Sequence, residues 1–153
     1  MKKYFVSITL GLVIGILLSK TVLEEYNGYN GIKTVSKEGI TAYFIKYGDY
    51  NSLEDLEKNT ISLPNYIYLE RDNKYSAYIA ITSNEFIRDK LIDYFKGINY
   101  KVSYEEFTIT NSNYIKYLQT ADKLLENTSE LTVIEEVCSQ ILSKYEELVI
   151  NGS

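Results

Sequence analysis

The sequence predicts an α+β fold: a four-stranded antiparallel sheet in β-α-β-β-α-β order with two helices on one face, preceded by a transmembrane helix and followed by a helical hairpin. Three observations carry this prediction. The uncharged run 4–18 follows Met1-Lys2-Lys3. From Gly39 onward, short β-type runs alternate with capped helical segments. Beyond residue 110 the apolar positions change to helical spacing.

The N-terminal run is short for a membrane span. Fifteen residues at about 1.5 Å each fall below a hydrocarbon core of about 30 Å. Extending it to 4–23, with Lys20 snorkelling to the interface, makes a workable span. The lysines ahead of it hold the N-terminus in the cytoplasm. A cleaved signal peptide needs a small-x-small site, and the candidate Ser19-Lys20-Thr21 carries a lysine inside it. Residues 1–23 therefore read as an uncleaved, single-pass anchor in the cell membrane, with the C-terminal domain extracytoplasmic. Gly11 and Gly15 form a small-xxx-small pair at which two anchors can pack; glycines facing lipid fit equally. Residues 24–38, with two Asn-Gly steps and little apolar content, read as a flexible tether. It is too short to cross a thick cell wall, so whatever the domain binds lies close to the membrane.

Residues 39–109 form the predicted domain. The run 40–47 is a strand closed by Gly48. Ser52, followed by Glu54 and Asp55, caps a helix over 52–63 that Pro64 ends. Strands over 66–69 and 75–81 flank the polar loop 70–74. Ser83-Asn84 caps a second helix over 84–96, whose stripe Phe86, Leu91, Ile92, Phe95 stops at Gly97, and 100–104 is the last strand. This order is the split βαβ arrangement, which leaves one sheet face without helices.

Alternation then sorts the side chains. Tyr43, Ile45 and Tyr47 face the helices, as do Ile67, Leu69, Ala77, Ile79 and Val102. The open face carries Phe44, Lys46, Tyr66, Tyr68, Ser76, Tyr78, Lys101 and Ser103. Aromatic rings beside hydroxyls and amines suit sugars, whose C–H faces are apolar and whose edges hydrogen-bond. Tyrosine is also a favoured strand residue, and sixteen of them populate any sheet.

Composition narrows the chemistry. The 153 residues include no histidine, so the usual general base at neutral pH and the commonest metal ligand are missing. The single cysteine, Cys138, sits on an apolar helical stripe and reads as a buried thiol. The acidic pairs Glu24-Glu25, Glu105-Glu106, Glu135-Glu136 and Glu146-Glu147 are sequence neighbours that face apart. No catalytic constellation, cofactor or metal is expected. Without Lys2, Lys3 and Lys20 the chain has 13 basic against 21 acidic residues, which disfavours nucleic acid as a partner.

The half-motifs 43–50 (YFIKYGDY) and 75–82 (YSAYIAIT), each followed by a helix, resemble the SPOR (sporulation-related repeat) domain. The resemblance covers 39–109 and rests on the topology, Gly48, the closing aromatic Tyr50 and the Tyr75 start. Lys46 stands where the family usually has glutamine, Ser76 replaces an arginine, and Ala80 replaces the second glycine. The family implies binding of peptidoglycan glycan strands stripped of their stem peptides, at division or sporulation septa, through the open sheet face. The implied glycan-binding residues are Phe44, Lys46, Tyr66, Tyr68, Ser76, Tyr78 and Lys101.

Residues 110–151 read as a helical hairpin. One stripe runs through Ile115, Leu118, Ala121, Leu124 and Leu125. Asn127-Thr-Ser-Glu130 interrupts it, and Thr132 caps a second stripe through Ile134, Val137, Cys138, Ile141, Leu142, Tyr145, Leu148 and Val149. Most SPOR domains lack this hairpin, and its stripes need cover: the domain's outer surface, a second copy, a partner protein, or the open sheet face. The last placement removes the glycan site. Two functions follow from the sequence. One is a membrane-anchored, non-enzymatic binder of denuded glycan; the other is an anchored assembly protein using the SPOR-like fold and hairpin for protein contacts.

Overall fold

A computed structural model of the protein describes residues 39–151. The anchor expected over 1–23 and the tether over 24–38 lie outside the described residues. Within them the fold is α+β, with a four-stranded antiparallel sheet and four helices. The strands are β1 (Ile40–Tyr50), β2 (Ile67–Arg71), β3 (Lys74–Thr82) and β4 (Ser103–Ile109), in the spatial order β2-β3-β1-β4.

The helices are α1 (Leu53–Thr60), α2 (Glu85–Gly97), α3 (Ser112–Asn127) and α4 (Leu131–Tyr145). The chain continues from α4 into one π-helical turn, Glu146–Ile150. Ser52 caps α1 by accepting from the Asp55 N–H at 3.1 Å, and Asn84 caps α2 by accepting from Phe86 and Ile87. Asn111 caps α3 through the Tyr114 N–H. The chain leaves α2 through Asn99, whose φ of 67° is the left-handed turn, rather than through Gly97.

The two sheet faces have different covers. On one, the Tyr43 hydroxyl meets Glu85 of α2 at 3.0 Å, and the Arg88 guanidinium lies over the rings of Tyr43 and Tyr104. On the other, Tyr145 of α4 packs edge-on to Phe44 at 5.2 Å. The hairpin α3–α4 thus takes the fourth of the placements open to it and sits on the face expected to be free. It supplies eleven of the 24 residues in the buried apolar cluster of the described chain. The central strands are consequently buried on both sides, over Ala42–Ile45 in β1 and Ala77–Thr82 in β3.

Beyond Ile79, β3 outruns the short β2, and there the hairpin meets α2 directly. Lys90 of α2 donates to the carbonyls of Leu125 and Thr128, and Tyr94 donates to Glu135 at 2.7 Å. A cavity of about 30 Å³, lined by Leu63, Ile79, Phe95, Tyr100, Cys138 and Leu142, marks this junction.

Two expectations about the strands are corrected, the phase of β2 and the bounds of β4. The β2–β3 connection is a two-residue turn, with Asp72 (φ 52°) and Asn73 (φ 59°) both left-handed and Arg71 opposite Lys74. That turn pairs Ile67 with Tyr78 and Leu69 with Ser76. Ile67 and Leu69 therefore share the Phe44 face, and Tyr68 lies on the α2 face opposite Ala77. A five-residue loop implies the opposite parity, and a one-residue change flips every side chain. The last strand also starts later than expected, at Ser103, and runs to Ile109.

Candidate functional site

Lys46 organises the centre of the Phe44 face. The β1–β3 register shifts on both sides of it, between Ile45 and Lys46 and between Lys46 and Gly48, leaving Ile79 and Tyr47 as the extra residues. Such bulges re-aim side chains. The Lys46 ammonium reaches Glu105 Oε1 at 2.7 Å and Asp49 Oδ2 at 2.9 Å. Tyr78 donates to Glu105 Oε2 at 2.9 Å, and the Ser76 hydroxyl donates to Asp49 Oδ1 at 2.5 Å. Arg71 lies 5.0 Å from the centroid of the Phe107 ring, which itself packs on Phe44 and Tyr78. Gly48 makes room for the Tyr50 hydroxyl: a Cβ there would stand 2.7 Å from it.

The charges in this network reinforce one another. The hydrogen bond from Lys46 holds the Glu105 carboxyl below its ordinary range, and the bond from Ser76 does the same for Asp49. Burial, aided by the Glu105 carboxylate, pushes the Tyr78 phenol up to about 12. Each group therefore keeps one charge state at neutral pH. That suits a structural ion network rather than proton transfer, which needs a group titrating near the working pH. Among the described residues no group of three or more His, Cys, Asp or Glu is placed to hold a metal ion.

Of the residues predicted for the glycan face, Phe44, Lys46, Ser76 and Tyr78 do come together. Phe44 is 0 % exposed and Tyr78 1 %, so neither ring is available to stack on a sugar. Truncating Phe44 removes core rather than contact surface, a change on the order of 3–5 kcal/mol. Lys46 and Ser76 are partly covered and already paired. The other three lie apart: Tyr66 precedes β2 and packs on the core, Tyr68 is on the α2 face, and Lys101 precedes β4. The sequence reading missed Glu105, Asp49, Arg71 and Phe107. A fourth strand that ends at residue 104 leaves Glu105 and Phe107 without a face, whereas β4 runs on to Ile109.

A second polar cluster fastens the hairpin. Asp122 of α3 accepts from the hydroxyls of Thr82 (2.6 Å) and Ser83 (2.7 Å) and from the Ser83 N–H (2.9 Å). It is 5 % exposed, and burial raises its carboxyl pKa. The Asn65 side-chain amide donates to the Ser139 carbonyl at 3.1 Å. Cys138 is buried at the junction cavity, and desolvation pushes its thiol up to about 12.

Comparison with family models, with curated proteins and with solved structures finds no match to this chain.

Proposed function

We propose that the chain is a membrane-anchored assembly protein, with a SPOR-like domain held outside the cell membrane for protein contacts rather than glycan binding. One observation carries this reading: the α3–α4 hairpin lies on the sheet face that glycan binding needs and buries Phe44 and Tyr78. The hairpin is not a detachable cover. With nearly half of the buried apolar cluster, it cannot swing away without exposing Phe44, Ile81 and its own stripe together. The apolar run with Lys2 and Lys3 ahead of it supports the anchor. In this reading the chain has no catalytic role and no cofactor.

Glycan binding, the alternative, is tested directly. The full chain in detergent is mixed with peptidoglycan sacculi before and after amidase treatment, and co-sedimentation is measured. The chain is expected to sediment with neither. Preferential sedimentation with the amidase-treated wall would overturn the assembly reading.

A further inference from the structure

β4 pairs with β1 over seven consecutive positions, from Ile40 opposite Ile109 to Lys46 opposite Ser103, without a bulge. It ends the strand order, and its other edge has no partner among the described residues. Proteins usually blunt such edges with charged side chains (lysine above all), inward-pointing charges, proline, bulges or short length. The opposite edge strand, β2, is short, ends in a tight turn, and follows Asn65, which is tied to the hairpin. β4 has no lysine, proline or bulge.

Its side chains add a chemical signature. Glu105 points inward and is satisfied by Lys46 and Tyr78. Tyr104, Glu106 and Thr108 share the other face in a row and are exposed, Tyr104 at 41 %. Arg88 steadies the Tyr104 ring from 4.6 Å.

We propose that the outer edge of β4 is a docking strand for an extended, basic segment of a partner protein. The assignment rests on reading the chain as an assembly module. The incoming strand hydrogen-bonds to the β4 backbone, sets a lysine or arginine opposite Glu106, and lays an apolar side chain against Tyr104. Net charge of −5 on the chain favours a basic partner. A second copy fits poorly: Glu106 is the middle residue of β4, so a two-fold antiparallel pair centred there sets Glu106 against itself.

The probe is a fluorescent peptide, Thr-Val-Lys-Val-Lys-Val-Thr. Its twins carry Glu for Lys or N-methyl groups on alternate backbone nitrogens. Anisotropy with the full chain in detergent micelles reads binding, and amide hydrogen exchange locates it. The lysine peptide is expected to bind and to slow exchange within 103–109. Glu106→Lys should weaken it about tenfold, while Glu57→Lys, an exposed carboxylate on α1, leaves it unchanged. The N-methylated twin should fail. Equal binding of lysine and glutamate peptides, or of wild type and Glu106→Lys, overturns the proposal, as does a wild-type dimer protected along β4. Peptide failure while sacculi are still ignored removes the docking strand alone. Sacculus binding with peptide binding intact removes the assembly reading.

Discussion

Lys46 shows how one residue reads differently in sequence and in structure. Beside Phe44 it resembles half of a sugar-binding pair; in the fold it is the hub of a closed ion network. The network makes stability depend on pH in a definite direction. Glu105 and Asp49 titrate, in the folded chain, below their ordinary values of 4.5 and 3.8. Their contribution is therefore complete above about pH 4.5 and is lost as pH falls through the lower folded-state values. Asp122 acts in the opposite sense, because burial raises its pKa. A single substitution separates them. Thermal melts of wild type and Glu105→Gln should differ most near pH 7, with the variant less stable, and converge in acid below pH 4.5. A gap that stays constant across that range would show that the Glu105 charge contributes nothing.

At the scale of elements, the Asp72-Asn73 turn decides which faces β2 offers. Both residues hold positive φ, a conformation that costs most side chains roughly 1–2 kcal/mol and glycine little. Asn73→Gly should keep or raise the melting temperature. Asn73→Val should lower stability by about 1–2 kcal/mol, read from urea unfolding. Equal stability of the two variants would mean that the turn is not held in this geometry. Two helix caps, by contrast, are legible in the sequence, whereas Thr132, which reads as the cap of the last helix, lies inside α4, where Glu130 is the N-cap and makes no side-chain bond. Ser52 and Asn84 stand where an N-cap is expected, and their side chains accept the orphan N–H groups.

For the whole molecule, the question is whether the hairpin is an appendage or half of the core. Its stripes bury Tyr114, Leu118, Ile141 and Leu142 against a sheet that has a second helical layer behind it. Deleting 111–153 should leave a chain without a cooperative thermal transition by near-ultraviolet circular dichroism, since Phe44 and Ile81 would face water. A cooperative melt of the truncated chain would make 39–109 an independent domain with an exposed aromatic face, and the glycan reading would regain its site.

The order of elements, the caps of α1 and α2, the burial of Cys138 and the existence of an apolar helical hairpin are all legible in the sequence. Those follow from local signals: periodicity, capping residues and breaker positions lie within a few residues of what they specify. It also picked out Phe44, Lys46, Ser76 and Tyr78 as residues of one face. What that face meets is set by packing across the whole fold. A stripe of apolar residues states that it needs cover but not which surface supplies it, and Tyr145 lies about a hundred residues from Phe44 in the chain. The phase of β2 was hidden for a related reason. A single residue in loop length inverts a strand, and the five polar residues 70–74 do not say which two make the turn.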